Sequence, residues 1–242
     1  MGFVDLHSHV LPLLDDGAKT LAESMEMLSL LGRAGFTTVC ATPHQRAGMF
    51  LPAREAIDDA YAWVRGAIPA GGPELLLAAE NMWDEVFLER SLSSLVPTYT
   101  GARAFLFELP VHVLPPRIEE RLFAIRRGKG APLPVMAHPE RYPGLTDDKE
   151  GRERLSRMRG QAALVVDLGA LDGAHGARSC KAARFLVEEN LAHAAASDCH
   201  QPGDIKSALA GIAWIRKRLG EPAVRRLLDD GPRQILIGEL PD

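Results

Sequence analysis

The chain has 242 residues, 46% of them hydrophobic and 25% charged, with a net charge of -4; it can bury a large core, suits one α/β barrel or two small domains, and shows no linker, so a single domain over residues 1–242 is expected. The balanced charge, a pI near 6.1 and the lack of any basic run exclude a general nucleic-acid or membrane-surface binder. No apolar stretch approaches the ~18 residues of a spanning helix, no basic-then-apolar leader opens the chain, and the scattered Cys40, Cys180 and Cys199 fit a reducing compartment, which together predict a cytoplasmic protein.

Apolar, often β-branched runs recur seven times, at Phe3 to Leu6, Thr37 to Ala41, Leu75 to Ala79, Ala104 to Phe107, Pro134 to Ala137, Leu164 to Asp167 and Ala194 to Ser197. Helix-period segments alternate with them. Thr20 with Glu23 forms a capping box, Leu21, Met25 and Leu28 mark one face, and Gly35 supplies a left-handed stop. Pro52 is read as opening a second helix with the stripe Ile57, Tyr61, Val64 and Ile68. Ile118, Leu122 and Ile125 form a third, ending at Gly128; Arg178 to Glu189, closing at Asn190, and Ile205 to Leu219, capped by Asp204, complete the set. Alternation of strand and helix predicts a parallel sheet with right-handed crossovers, and seven units suggest a barrel-like closure over an open sheet.

The chemistry sits where the strands end. Phe3, Val4 and Leu6 read as a buried strand whose period of two sends His7 and His9 to one side. The next loop carries Asp15-Asp16-Gly17, the second strand is followed by His44, and later strands end at Glu80, Glu108, His138 and Asp198 with His200. In a parallel barrel all strand C-termini share one rim, so five histidines and four carboxylates meet in one bowl. Buried carboxylates without cations would repel and be heavily desolvated. Nine nitrogen and oxygen donors exceed one tetrahedral zinc and suit two or three divalent ions with a bridging carboxylate, leaving zinc, manganese and iron open.

Asp5 is either the partner of a ligating imidazole or a plain strand-edge aspartate. Arg141, three residues past His138, is placed to fork onto a phosphate, the alternative being a surface ion pair; Arg46, two past His44, is a second candidate. His112, His175 and His193 miss the pattern and are read as structural or loop residues. Cys40 to Arg46 formally matches the C-x5-R phosphate loop of cysteine-dependent phosphatases. That match is rejected: Pro43 removes a donor, no glycine lies in the five, and Cys40 belongs to an apolar strand.

Asp5-Leu6-His7-Ser8-His9, Asp15-Asp16-Gly17, Gly35-Phe36-Thr37-Thr38-Val39, Thr42-Pro43-His44, Gly48-Met49-Phe50, Ala137 to Tyr142 and Ala196 to His200 occur in the order seen in the polymerase and histidinol phosphatase (PHP) superfamily. Within it the chain resembles the bacterial CpsB/CapC-type tyrosine-protein phosphatases of capsule and exopolysaccharide synthesis, from residue 3 to about 238. The resemblance implies a distorted TIM-like barrel of seven β/α units and three metal ions. By position, His7, His9, Glu80 and Asp198 would hold one ion, Glu80, Glu108 and His138 a second, and Asp16, His44 and His200 a third. Arg141 matches the family's substrate arginine. Another arginine, common in the loop after His200, is missing here, and Lys206 stands as its substitute point charge.

The expected reaction is hydrolysis of phosphotyrosine in a protein, with a bacterial tyrosine autokinase as the expected partner. A hydroxide bridging two ions attacks phosphorus in line, while the metals and Arg141 neutralise the equatorial oxygens; His44 and His200, at the third ion, complete the catalytic set. A phenoxide of pKa ~10 needs only modest leaving-group help. The alternatives are a histidinol phosphatase or other small-molecule phosphoesterase on the same metals, and a non-catalytic regulatory partner; an oligomer remains open.

Overall fold

The computed structural model describes residues 2–127 and 130–242. Its strands are β1 Phe3–Ser8, β2 Phe36–Ala41, β3 His44–Gln45, β4 Glu74–Leu77, β5 Glu80–Met82, β6 Ala104–Glu108, β7 Leu133–Ala137, β8 Ala163–Asp167 and β9 Ala194–Ala196. The helices are α1 Leu21–Arg33, α2 Arg54–Ala67, α3 Glu85–Leu92, α4 Ile118–Arg126, α5 Pro143–Thr146, α6 Lys149–Arg159, α7 Leu168–Asp172, α8 Gly176–Glu188, α9 Ile205–Leu219, α10 Glu221–Arg225 and α11 Gly231–Leu236. The expected end of the third helix at Gly128 lies outside the described residues.

All pairings between these strands are parallel, in two sheets ordered β1-β2-β4 and β3-β5-β6-β7-β8-β9. Two of the seven expected units are therefore interrupted. Pro43 lacks an N–H and sets His44 on its own short strand, while the stretch after Leu77 breaks before Glu80, so Glu80 begins a strand where the sequence had it end one. Backbone bonds bridge the breaks: Thr42 N–H donates to the Ser8 carbonyl (2.9 Å), Ala78 N–H to Ala41 (2.8 Å) and Glu80 N–H to Pro43 (3.1 Å). Past β9, Asp198 N–H donates to the His7 carbonyl and His9 N–H to that of Cys199, each at 2.9 Å.

Strand alternation sorts the apolar residues into two cores. Val4, Leu6, Leu106, Val135, Ala137, Val165, Ala194 and Ala196 pack on one face with Tyr99, whose hydroxyl donates to the Leu6 carbonyl. Val39, Phe105, Phe107, Met136, Leu164, Val166 and Ala195 face the helices. Thr20 caps α1 by accepting from Glu23 N–H, but the Glu23 carboxylate accepts from Lys19 N–H and not from Thr20, so only half of the expected capping box forms. The second helix starts at Arg54, two residues past Pro52, and Ile68 falls just beyond its end. Asp204 does not cap α9 with its side chain; its carboxylate accepts from the N–H groups of His200 and Gln201 and fixes the loop that presents His200.

His193 is structural, as expected: it is buried and Nδ1 accepts from Leu164 N–H at 2.8 Å. Burial, aided by Arg159 and Arg226, lowers its pKa to about 3. An unfolded histidine binds its proton near 6.5, so this contribution to stability is complete above that pH and is lost as pH falls toward 3. The His193 ring resonance should therefore stay in its neutral position down to the acid unfolding transition; a midpoint near 6.5 in folded protein would contradict this.

Candidate metal centre

The donors expected on one rim meet there. His7 and His9 bring their Nε2 atoms to 3.1 Å of each other at the end of β1. Glu80 lies at the centre, with one oxygen 3.1 Å from His7 Nε2, 3.3 Å from His9 Nε2 and 3.0 Å from His44 Nδ1, and the other 2.8 Å from His138 Nε2. One carboxylate thus touches four imidazoles. Asp198 Oδ1 is 3.2 Å from His7 Nε2, Glu108 Oε1 is 3.3 Å from His44 Nδ1, and Asp16 Oδ1 stands 3.4 Å from His44 and 3.6 Å from His200.

The structure draws these donors into overlapping groups with ligand atoms within 4.8 Å of one another: His7, His9 and Asp198; His7, Glu80 and His138; His44, Glu80 and Glu108; and His9, Asp16, His44 and His200. This differs in detail from the grouping the resemblance implies, because the two Glu80 oxygens face opposite ways. His138 groups with His7 and Glu80, through the Glu80 oxygen that His7 does not meet, and Glu108 stands by His44.

Whether these residues fit a cation is tested by their hydrogen bonding. Glu80 Oε2, Glu108 Oε1, Asp198 Oδ1 and His44 Nδ1 are buried and lack a hydrogen-bond partner although they lie close together. Buried polar atoms are normally satisfied; three of these belong to the His44, Glu80 and Glu108 group and Asp198 to the His7 and His9 group, and lone pairs left unpaired within such groups suit cations. The electrostatics agree. Burial alone would strip the proton from His7, His9 and His44, yet Asp198 and Glu80 at His7, Asp15, Asp198 and Glu80 at His9, and Glu80 and Asp16 at His44 hold all three above the ordinary histidine value. Burial would likewise raise Glu80 and Asp198, but imidazoles, with Arg141 at Asp198, hold both well below the carboxylate range. The carboxylates demand positive charge, which protons or metal ions can supply.

The supports are local. His138 and Asp198 adopt left-handed backbone, φ 35° and 48°, at the rim; such conformations in non-glycine residues persist where the surroundings enforce them. Tyr142 lies with its hydroxyl 3.1 Å from His138 Nδ1. His200 Nδ1 is 2.9 Å from the Asp198 carbonyl, which can only accept, so Nδ1 carries the proton and Nε2 is left to bind.

Of the two readings open for Asp5, that of partner to an imidazole is not met. Its carboxylate meets no imidazole and accepts from the N–H of His7, the N–H of Ser197 and the Ser197 hydroxyl, with burial raising its pKa to about 6 against those bonds. The aspartate that orients an imidazole is Asp15: Oδ2 lies 2.9 Å from His9 Nδ1 and accepts from His44 N–H, and Oδ1 accepts from Gly17 N–H. Burial opposes its charge, yet His9 brings its pKa down to about 2. A Cβ at Gly17 would stand 2.3 Å from the His9 carbonyl, so glycine is required there. Period and position alone did not distinguish Asp15 from Asp16.

Arg141 is no surface ion pair. Its Nη2 donates to Asp167 Oδ2 at 2.9 Å and to Asp198 Oδ2, and lies 2.9 Å from His175 Nε2. His175, read from sequence as a structural or loop residue, therefore belongs to the rim, together with Asp167, which ended a predicted strand but was given no role. Arg46 is half-buried in the loop that returns at Phe50, and Lys206 is exposed in the first turn of α9; neither side chain has a polar partner among the described residues. Cys40 is buried and burial pushes its thiol well up, which leaves no thiolate for a cysteine mechanism.

The family model described as "Capsular polysaccharide synthesis, CpsB/CapC" matches residues 3–237. The chain belongs to the CpsB/CapC family. Among CpsB/CapC relatives, the tyrosine-protein phosphatase CpsB of Streptococcus pneumoniae is 30% identical over 98% of this chain and 99% of its own. The tyrosine-protein phosphatase YwqE of Bacillus subtilis strain 168 is 36% identical over 81% of this chain and 77% of its own. A crystal structure from work on YwqE and CpsB, described there as unique metal-dependent tyrosine phosphatases, superposes with a TM-score of 0.83 at 25% identity, covering 98% of this chain and 95% of that one.

Proposed function

We propose that this CpsB/CapC protein is a metal-dependent protein-tyrosine phosphatase, a phosphoric monoester hydrolase that acts in capsule or exopolysaccharide synthesis on a cytoplasmic phosphotyrosyl protein such as a tyrosine autokinase. The observation that carries this reading is Glu80 between four imidazoles, with unpartnered oxygens of Glu108 and Asp198 beside it. His7, His9, Asp16, His44, Glu80, Glu108, His138, Asp198 and His200 would hold two to three ions of manganese, iron or zinc. The two sheets are read as one distorted (β/α)7 barrel forming a single domain, supported by the bonds from His7 and His9 to the segment after β9.

Divalent ions held there supply Lewis acidity, lowering the pKa of water and neutralising phosphoryl oxygens. The chain's own residues bind and orient. Arg141, kept protonated by Asp198 and Asp167 despite its burial, presents a guanidinium where a phosphoryl group would lie against the donor cluster. Asp15 fixes the ring of His9, and the Asp198 carbonyl fixes that of His200. A tyrosyl leaving group departs as a phenoxide, and the partly exposed rim residues Asp16, His200 and His175 border the mouth that admits a peptide side chain.

Treatment with a chelator should abolish hydrolysis of a phosphotyrosyl peptide, while Cys40→Ser retains it within about threefold; chelator resistance with loss in Cys40→Ser would restore the cysteine mechanism. Parallel assays with histidinol phosphate and a phosphodiester separate the small-molecule alternatives.

A further inference from the structure

The donor cluster does not use His175. This residue precedes α8 in a tight segment between Gly173 and Gly176, both at positive φ (94° and 83°), which set the loop over the rim. Its Nε2 lies 2.5 Å from Asp167 Oδ2. A carboxylate oxygen only accepts, so an approach that close requires a proton on Nε2; Arg141 Nη2, 2.9 Å from Nε2, then stands beside it as a second donor to the same Asp167 oxygen. Asp167 is itself fixed: its side chain is 2% exposed, and Oδ1 accepts from Gly169 N–H at 2.7 Å. His175 is 38% exposed, and its Nδ1 has no partner among the described residues. A buried, anchored aspartate thus orients a histidine whose other nitrogen is free at the mouth.

Asp167, His175 and Asp198 also form a group of suitable size for a cation. The Arg141 guanidinium already fills that gap, bonded to both aspartates. His175 therefore stands against the Arg141 guanidinium, on the solvent side of it. The inner side is taken by buried carboxylates, so the organic part of an ester must lie outward, toward His175.

We propose that His175, doubly protonated with its Nε2–H held by Asp167, donates its Nδ1 proton to the leaving oxygen of the phosphomonoester; this rests on the phosphomonoesterase reading above. Water forms the new P–O bond, the ester P–O bond breaks with its electron pair staying on the leaving oxygen, and that oxygen takes the Nδ1 proton. Alcohol and hydrogen phosphate leave, and solvent restores the proton to the ring. A phenoxide scarcely needs this help, whereas an aliphatic alkoxide does, so the device fits a protein whose substrates include alkyl phosphates.

The test compares nitrophenyl, phenyl and alkyl phosphates with the metal-loaded full chain, wild type and His175→Asn. The ratio of nitrophenyl to phenyl or alkyl turnover should rise about 100-fold in the variant, the low end of general acid catalysis. Equal losses on every ester would overturn the proposal and leave His175 as a positioning residue for Arg141. A wild type that hydrolyses none of these esters would overturn the phosphomonoesterase reading as well. Independently of turnover, ring 15N spectra of metal-free protein should show Nε2 protonated in wild type and the tautomer altered in Asp167→Asn; identical spectra would overturn the dyad.

Discussion

Glu80→Gln should lower turnover of a phosphotyrosyl peptide by more than about 100-fold, beyond the 10- to 100-fold typical of losing a group that merely supports a metal ligand. Its two oxygens face His7, His9 and His44 on one side and His138 on the other. The amide keeps the shape but replaces an anionic acceptor with a neutral group, one end of which donates to nitrogens that must themselves remain lone-pair donors. Metal content should fall with activity, measured on the same sample. An amide variant that retained both within about threefold would remove Glu80 from the centre of the site.

Arg141→Lys should reduce kcat/KM by about 100-fold, comparable to losing one preorganised donor to a developing charge. The guanidinium reaches Asp167 and Asp198 with one nitrogen, leaving its remaining donors for a phosphoryl group. A lysine ammonium is a single point charge on a flexible stem and cannot hold both carboxylates and the phosphoryl oxygens at once. The loss should persist at saturating substrate, since the charge on the phosphoryl oxygens is redistributed in the transition state. A change confined to KM would assign Arg141 to substrate capture alone.

Much of this was legible because the strands are short and buried, so their ends are marked by the first polar residue able to face the rim. His7, His138 and Asp198 stand out for that reason. The interruptions were less visible: Pro43 announces a break, but the displacement of Glu80 from the end of one strand to the start of another depends on pairing with β6. The imidazole-orienting role left open for Asp5 falls to Asp15, which had been given none, because orienting an imidazole depends on side-chain direction in a loop, which spacing does not encode. His175 was missed because it lies eight residues past its strand, beyond the reach of any strand-end pattern, and only the two flanking glycines hint at a constrained loop. Asp167 was the available signal: a carboxylate ending a rim strand without an assigned partner.

Elemental analysis of the purified protein, paired with anomalous diffraction at the edges of manganese, iron and zinc, tests the central claim most directly. Two or three ions are expected, with Glu80 contacting more than one of them and His7, His9, His44, His138 and His200 converging on them. Protein that retains phosphotyrosine hydrolysis with no bound metal, or ions coordinated away from Glu80, would contradict it.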